Sequence, residues 1–398
     1  MLLAHTLLIL GNLVVLVPVG VFSAEVALSL LPTRKRSATA LARPTVAVIV
    51  PAHDEAADIR GTVSALRTQL RAGDRLVVVA DNCSDDTARL AELAGAEVVV
   101  RTDPDRRGKG FALDFGVRHL AAAPPEVVII VDADCRPSPG SVDHLAAVAS
   151  TGRPAQALYL MSTPHDADVR VRVAELAFLV KNHVRPAGLQ RLGFGCQLTG
   201  SGMAFPWPII RAANLAHGSL VEDMQLGVDL ALAGTPAQFC PEARIGSDFP
   251  QTATGIASQR SRWEEGHLGM IARALALLPR AIAMRNLAAV ALLVDIMVPP
   301  LTLLLLLSVA SLAATALLTV GLGLAPHALG IASLNCLLVG AAMSAAWCGF
   351  GRKVLPAREL LSVFPYILSK FRLYRALGSG KRSAGWVRTD RKRGGDGH

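Results

Sequence analysis

Three times within residues 45–136, a short run of β-branched residues stops abruptly in a polar cluster. TVAVIVPA runs into His53-Asp54-Glu55. LVVVA runs into Asp81-Asn82-Cys83-Ser84-Asp85-Asp86-Thr87. VVIIV runs into Asp132-Ala133-Asp134. Apolar runs this short, with Val and Ile dominant, read as strands buried on both faces. Residues 55–71, 85–94 and 109–121 carry helical spacing between them, with Ile59, Val63 and Leu66 on one face, and AEVVV at 96–100 adds a further strand. This alternation predicts an α/β domain, Rossmann-like, with a mostly parallel, doubly wound sheet. Ligands of such sheets bind outside the carboxyl ends of the strands, where all three polar clusters fall. If residues 127–136 form one extended strand, Asp132 and Asp134 point the same way. Two hard oxygen ligands side by side suit Mg²⁺ or Mn²⁺, and such an ion suits a diphosphate. Taken singly, the two aspartates also suit a solvated turn, and Asp81, Ser84 and Thr87 suit helix caps and turns. Three clusters at one edge are harder to explain by capping alone.

The chain of 398 residues is 52% hydrophobic, too apolar for an ordinary soluble protein, and the excess lies at its two ends. Residues 2–31 are apolar apart from interruptions such as Pro18 and Glu25. That stretch is long enough to cross a bilayer core of about 30 Å at about 1.5 Å per residue. No basic segment precedes it, which argues against a cleaved signal peptide. Arg34-Lys35-Arg36 follows it, which predicts an amino terminus outside and a cytoplasmic domain after it. Residues 268–284, with Arg273, Arg280 and nearby Arg285, read as an interfacial amphipathic helix. Residues 287–298 read as an interfacial or re-entrant piece, and 301–324 and 328–350 as spans.

The net charge of +9 is carried entirely by residues 352–398, where twelve Lys and Arg face three carboxylates. A basic tail after apolar spans fits a cytoplasmic location. A nucleic-acid partner is not expected, since aromatic residues make up only 5% and no recognition motif is present. The six cysteines have no C-x-x-C spacing, so neither a zinc site nor a disulfide framework is expected. Between 155 and 250 the pattern is looser, with helices at 168–183 and 225–233. The domain reading is a transmembrane helix at 1–31, an α/β domain at 44–266, interfacial and transmembrane helices at 267–350, and a basic cytoplasmic segment at 351–398.

Further polar groups complete the pattern. Arg107-Gly108-Lys109-Gly110 opens a helix and offers an anion site of glycines, a cation and helix amides, without P-loop spacing. Gly200-Ser201-Gly202, Glu222-Asp223 and Gln259-Arg260-Ser261-Arg262-Trp263 follow. By themselves Glu222-Asp223 suits a helix amino terminus and Trp263 a membrane-interface anchor. In order, Pro-Ala-His-Asp-Glu, Asp-Asn-Cys-Ser-Asp-Asp-Thr, Gly-Lys-Gly-Phe-Ala-Leu, Asp-Ala-Asp, Gly-Ser-Gly, Glu-Asp and Gln-x-x-Arg-Trp before membrane spans resemble the membrane-bound family-2 glycosyltransferases. That group includes cellulose, chitin and hyaluronan synthases and bacterial exopolysaccharide enzymes. The resemblance covers roughly residues 44–270.

The resemblance implies a GT-A fold that uses a nucleotide-diphospho-sugar, with UDP favoured, and Mg²⁺ or Mn²⁺. It implies that Pro51, His53 and Glu55 line the nucleotide pocket, that Asp81 contacts the base, and that Lys109 lies near it. Asp132 would approach the diphosphate or ribose and Asp134 would ligate the metal. Glu222 and Asp223 would form the catalytic pair, with Asp223 as base, and Gln259, Arg262 and Trp263 would hold the diphosphate and the acceptor sugar. The expected activity is inverting transfer to a saccharide or lipid-linked acceptor at the cytoplasmic face of the inner (plasma) membrane, in exopolysaccharide or glycolipid synthesis. A processive polysaccharide synthase is one alternative. A non-catalytic nucleotide-sugar-binding scaffold among polysaccharide-export partners and membrane lipids is another. Two positions depart from the family pattern: Val221 stands where Thr or Ser is common, and Glu264-Glu265-Gly266-His267 follows Trp263.

Overall fold

The computed structural model describes residues 2–32, 43–163, 168–219, 221–250 and 253–362, apart from the side chains of residues 253, 254, 257, 258 and 260. The basic cluster at 34–36 and the tail beyond 362 lie outside the described residues. In chain order the elements are α1 (Leu2–Ser29), β1 (Val46–Ala52), α2 (Ile59–Arg67), β2 (Arg75–Asp81), α3 (Thr87–Leu93), β3 (Glu97–Arg101), α4 (Lys109–Leu120), β4 (Val127–Ile130), β5 (Arg136–Pro137), α5 (Ser141–Ala149) and β6 (Ala155–Ser162). Then come α6 (Val169–Leu179), a π-helical turn (Val180–Val184), α7 (Arg185–Arg191), β7 (Met203–Pro206), α8 (Trp207–Ala212), α9 (Glu222–Leu232) and β8 (Gln238–Asp248). Four helices follow: α10 (Ala253–Ala283), α11 (Leu287–Ile296), α12 (Leu301–Leu322) and α13 (His327–Ala346).

These elements form two units. The α/β unit comprises Thr33–Ser162 and Phe194–Gly266, with Ala384–His398 outside the described residues. Its eight strands run β3-β2-β1-β4-β7-β6-β8-β5. The first four are mutually parallel, as the β-branched runs predict. β1, β2 and β4 are continuously apolar because both of their faces are covered, whereas the edge strand β3 is partly exposed. Ala47, Ile49, Val77, Val79, Val128 and Ile130 pack with Leu113, Val117 and Leu120 of α4, while Val48, Val78 and Ile129 are equally buried on the opposite face. Each fully buried Ile contributes about 1.5–3 kcal/mol relative to exposure.

The sheet is mostly parallel, as expected, with β7 pairing antiparallel with β4 and β6 and β5 antiparallel with β8. One expectation fails in it: the strand expected over 127–136 stops at Ile130, where Gly202 N donates to Ile130 O at 2.9 Å and the ladder to β7 begins. Beyond it, Cys135 N donates to Asp132 O at 3.0 Å and closes a turn. Asp132 and Asp134 therefore sit in a turn, so strand alternation is not what brings them together.

The helical unit collects three separate stretches: Met1–Pro32, Thr163–Gly193, and the chain from His267. Leu2–Ser29, Leu301–Leu322 and His327–Gly351 are long and apolar enough to cross a membrane by length and composition. Val19, Phe22 and Val26 of α1 pack with Val180, Val184, Val298, Leu304 and Val339. A polar seam joins the long helices: Asn12 Nδ2 donates to Thr315 Oγ1 (2.9 Å), Ser311 Oγ to Asn12 Oδ1 (2.8 Å) and Asn335 Nδ2 to Asn12 O (3.0 Å). Hydrogen bonds of this kind hold helices together where apolar packing alone gives no preference over lipid. At one end Arg185 donates to Glu25 Oε2 (2.7 Å) and Asp295 Oδ1 (2.5 Å), all three side chains being 4% exposed. The amphipathic stretch expected at 268–284 is the second half of one helix, α10, whose first half carries Gln259, Arg262 and Trp263.

Candidate active site

The turn after β4, the start of α4, the Gly200-Ser201-Gly202 turn before β7 and the start of α9 converge. Ser201 Oγ is fully buried and accepts from Asp132 N at 3.1 Å, fixing the backbone that presents Asp132. Gly200 adopts φ +89, a conformation L side chains rarely adopt. A methyl group at Gly200 would lie 3.3 Å from Asp223 Oδ2, 3.5 Å from Lys109 Nζ and 3.9 Å from Asp132 Oδ2. The missing side chain leaves room for three functional groups to gather. Lys109 Nζ is ion-paired with Asp132 Oδ1 and donates to Gly200 O at 2.6 Å.

The electrostatics of this cluster follow from burial and charge count. Burial opposes the Lys109 charge, but Asp132, Glu222 and Asp223 outweigh it and raise the ammonium pKa. Burial, then the neighbouring Asp223, pushes Glu222 up to about 7. Asp132 is also raised, by burial first, with Lys109 opposing and Asp134 adding. The site therefore holds more carboxylates than cations, and it stands ready for a cationic ligand.

Asp132, Asp134 and Cys135 bring one ligand atom each within 4.8 Å of one another. Burial pushes the Cys135 thiol well above its ordinary range, so it remains protonated, and its Sγ lies 3.6 Å from Asp134 Oδ1 as donor. The usable donors are thus two carboxylates, which fits a hard divalent ion and not a thiophilic one.

A second cluster occupies the ends of β1 and β2. His53 Nδ1–H donates to Asp81 O at 2.7 Å, and Glu55 N donates to Thr87 Oγ1 at 2.7 Å. Asp54, at φ +53, accepts from Ser84 N (2.6 Å), Ser84 Oγ (3.0 Å) and Asp85 N (3.2 Å). Ser84 and Thr87 thus stitch two loops together, and it is Asp85 Oδ1 that accepts from Thr87 N at the start of α3 (3.0 Å). Pro51 is half-buried in β1. Asp81 is buried and bound by Arg101 at 2.6 Å. Lys109 stands beside Asp132 and Asp223.

Gln259 is buried, and Arg262 and Trp263 are half-buried on α10. Burial lowers the Arg262 pKa. What ties α10 to the site is Gly266: a methyl there would come within 2.4 Å of Val221 Cγ1, next to Glu222. The two departures from the family pattern therefore touch each other. Sequence reasoning missed Arg101, Gly200 as the centre of the cluster, and the Val221–Gly266 contact. A charged residue closing the β3 run, EVVVR, was the available signal for Arg101.

Residues 44–266, more than half of the chain, match the model of the glycosyltransferase-like family 2. The chain belongs to this family. Its α/β unit has the GT-A fold expected of that family. It is 26% identical over 244 residues to the probable glycosyltransferase YdaM of Bacillus subtilis, covering 58% of this chain and 57% of that protein. A glycosyltransferase of Mycobacterium tuberculosis described as uncharacterized is 36% identical over 112 residues, covering 28% of this chain and 47% of that one. The chain thus spans about half the length of these curated relatives. The mannosyltransferase PcManGT of Pyrobaculum calidifontis, solved with GDP-Man and Mn²⁺, is 19% identical with a TM-score of 0.48, over 85% of this chain and 97% of that one.

Proposed function

We propose that this family-2 chain is a membrane-bound, metal-dependent, inverting glycosyltransferase. It moves a hexosyl or N-acetylhexosaminyl group from a nucleotide-diphospho-sugar to a saccharide or lipid-linked acceptor at the cytoplasmic face of the plasma membrane, in exopolysaccharide or glycolipid synthesis. Residues 44–266 carry the chemistry and the three apolar helices hold it at the bilayer. The observation that carries this reading is the convergence of Lys109, Asp132 and Asp223 around Gly200, beside the Asp134 carboxylate.

In this reading the acceptor hydroxyl attacks the anomeric carbon of the donor, and the bond from that carbon to the diphosphate oxygen breaks. Asp223 takes the hydroxyl proton. Lys109 and Arg262 offset the charge that develops on the departing diphosphate. A divalent ion at Asp134, with Asp132 beside it, supplies further charge stabilisation when bound. Pro51, His53, Glu55 and Asp81 form the nucleotide pocket, and Gln259 and Trp263 border the acceptor. One displacement inverts the centre, so an α-linked donor gives a β-linked product.

The test is release of nucleoside diphosphate from a panel of nucleotide sugars by the full chain in lipid, with Mg²⁺ or Mn²⁺ and a membrane lipid extract as acceptor. Metal-dependent release that Asp223→Asn reduces at least about 100-fold is expected. Equal release by Asp223→Asn would remove Asp223 as base, and no release from any donor would overturn the transferase reading.

A further inference from the structure

The Asp81 carboxylate is used asymmetrically. Arg101 Nη1 donates to its Oδ1 at 2.6 Å and Asn82 Nδ2 to the same oxygen at 3.1 Å. Among the described residues both donors fall on Oδ1, which fills the two lone pairs of that oxygen. Oδ2 keeps its accepting capacity, and the Asp81 side chain retains 8% of its surface.

Arg101 is itself held on every side. Its Nη2 donates to Asp103 Oδ2 (3.1 Å) and Arg106 O (2.9 Å), and its guanidinium lies 5.5 Å from the centre of the Phe111 ring. Asn82, at φ +51, is fixed as well, its Oδ1 accepting from Asp103 N at 2.8 Å. Neither donor can swing away without losing other bonds, so the occupancy of Oδ1 is built in.

We infer that Arg101 is a specificity-determining residue: by occupying Asp81 Oδ1 it leaves one accepting oxygen, which selects a nucleobase with a single N–H between two carbonyls, uracil or thymine, over guanine. The inference rests on the proposed reading of Asp81 as the base contact. The Watson–Crick edge of guanine presents two adjacent donors, N1–H and N2–H, which pair best with both oxygens of a carboxylate. With Oδ1 filled, one of the two is left without its partner, and a site built this way discriminates by the cost of that missing bond. Charge acts in the same direction. The guanidinium and amide gathered at Oδ1 make that side of the carboxylate positive, which attracts a flanking carbonyl and repels an exocyclic amine.

The experiment is equilibrium titration of the full chain in detergent, with Mg²⁺, against UDP and GDP, for wild type, Arg101→Met and Arg101→Lys. Wild type should bind UDP about tenfold or more tighter than GDP, the factor expected of one missing hydrogen bond. Arg101→Met should bring the two affinities to within about threefold, while Arg101→Lys, which can still donate to Oδ1, should keep most of the discrimination. Should Arg101→Met fail to fold by its melting curve, Asn82→Gly decides. It removes the second donor and tolerates the positive φ, and it should narrow the UDP-to-GDP ratio in the same direction. Wild-type binding of GDP as tight as UDP, or a ratio untouched by the variants, would overturn the role of Arg101 and leave the transferase reading standing. Binding of neither nucleotide would overturn the transferase reading itself.

Discussion

Glu222 bears the cost of assembling so many carboxylates. Burial and the adjacent Asp223 hold its pKa at about 7, above the ordinary 4.5 of a glutamate. Between those values the native state binds the proton and the unfolded state does not, so stability falls as pH rises through that window. Glu222→Gln removes the penalty. It should raise the stability of the metal-free protein by about 1–3 kcal/mol at pH 8 and change it little at pH 4.5. Thermal melting at the two pH values checks this, and a gain of the same size at both would sink it. Lys109 makes the reverse case. Lys109→Met leaves Asp132, Glu222 and Asp223 facing one another without their cation, and because the Lys109 and Asp132 side chains keep 21% and 27% of their surface the loss is about 1–3 kcal/mol. The loss should shrink as pH falls and the carboxylates take up protons. Chemical denaturation at pH 8 and pH 5 measures it, and a pH-independent loss would show that Lys109 contributes by packing instead of charge.

At the level of elements, the meeting of α9 and α10 sets the geometry of the site. The first turn of α9 carries Glu222 and Asp223, and α10 carries Gln259, Arg262 and Trp263. The two helices close to the distance that Gly266 permits against Val221. Gly266→Ala should push them apart and reduce turnover about 10- to 100-fold with little change in nucleotide affinity, because misplacement of reacting groups costs rate. Val221→Ala, which removes the clashing Cγ1, should restore most of the loss in the double variant. A double variant no better than Gly266→Ala alone would remove the contact as a determinant of geometry. None of this spacing is legible in sequence, since the two positions are distant and neither bears a functional group. The parallel half of the sheet was legible because β1, β2 and β4 are buried on both faces and therefore written as uninterrupted Val and Ile runs. The other half was not. AQALYLMS of β6 has the composition of a helix, and β8 holds Pro241 and Gly246 and slips its register against β6 between Ala157 and Leu158. Asp132, Asp134 and Asp223 stood out as carboxylates in polar clusters. Arg101 did not, because its importance lies in the partner that β2 brings beside it.

On the scale of the whole molecule, the family-matched segment and the folded units do not coincide. Residues 44–266 match the family, yet Thr163–Gly193 within them belongs to the helical unit. Val180 and Val184 are buried there against Val19, Phe22, Val298, Leu304 and Val339, none of which the matched segment contains. Arg185, between them and Gly193, is neutralised by Glu25 and Asp295, which also lie outside it. Cutting the chain to residues 44–266 would expose two valines worth about 1.5–3 kcal/mol each on burial and remove both carboxylate partners of Arg185. A loss of that size is a large fraction of the entire stability of many domains. The segment expressed alone should therefore aggregate or require detergent, whereas the full chain in detergent should run as a defined species. Size-exclusion chromatography of both decides between the alternatives. A monodisperse, cooperatively melting 44–266 segment in plain buffer would mean that residues 163–193 fold without the helices at either end of the chain. The α/β unit would then be separable from its apolar partners, and the apolar helices would be an attachment to it instead of part of its framework.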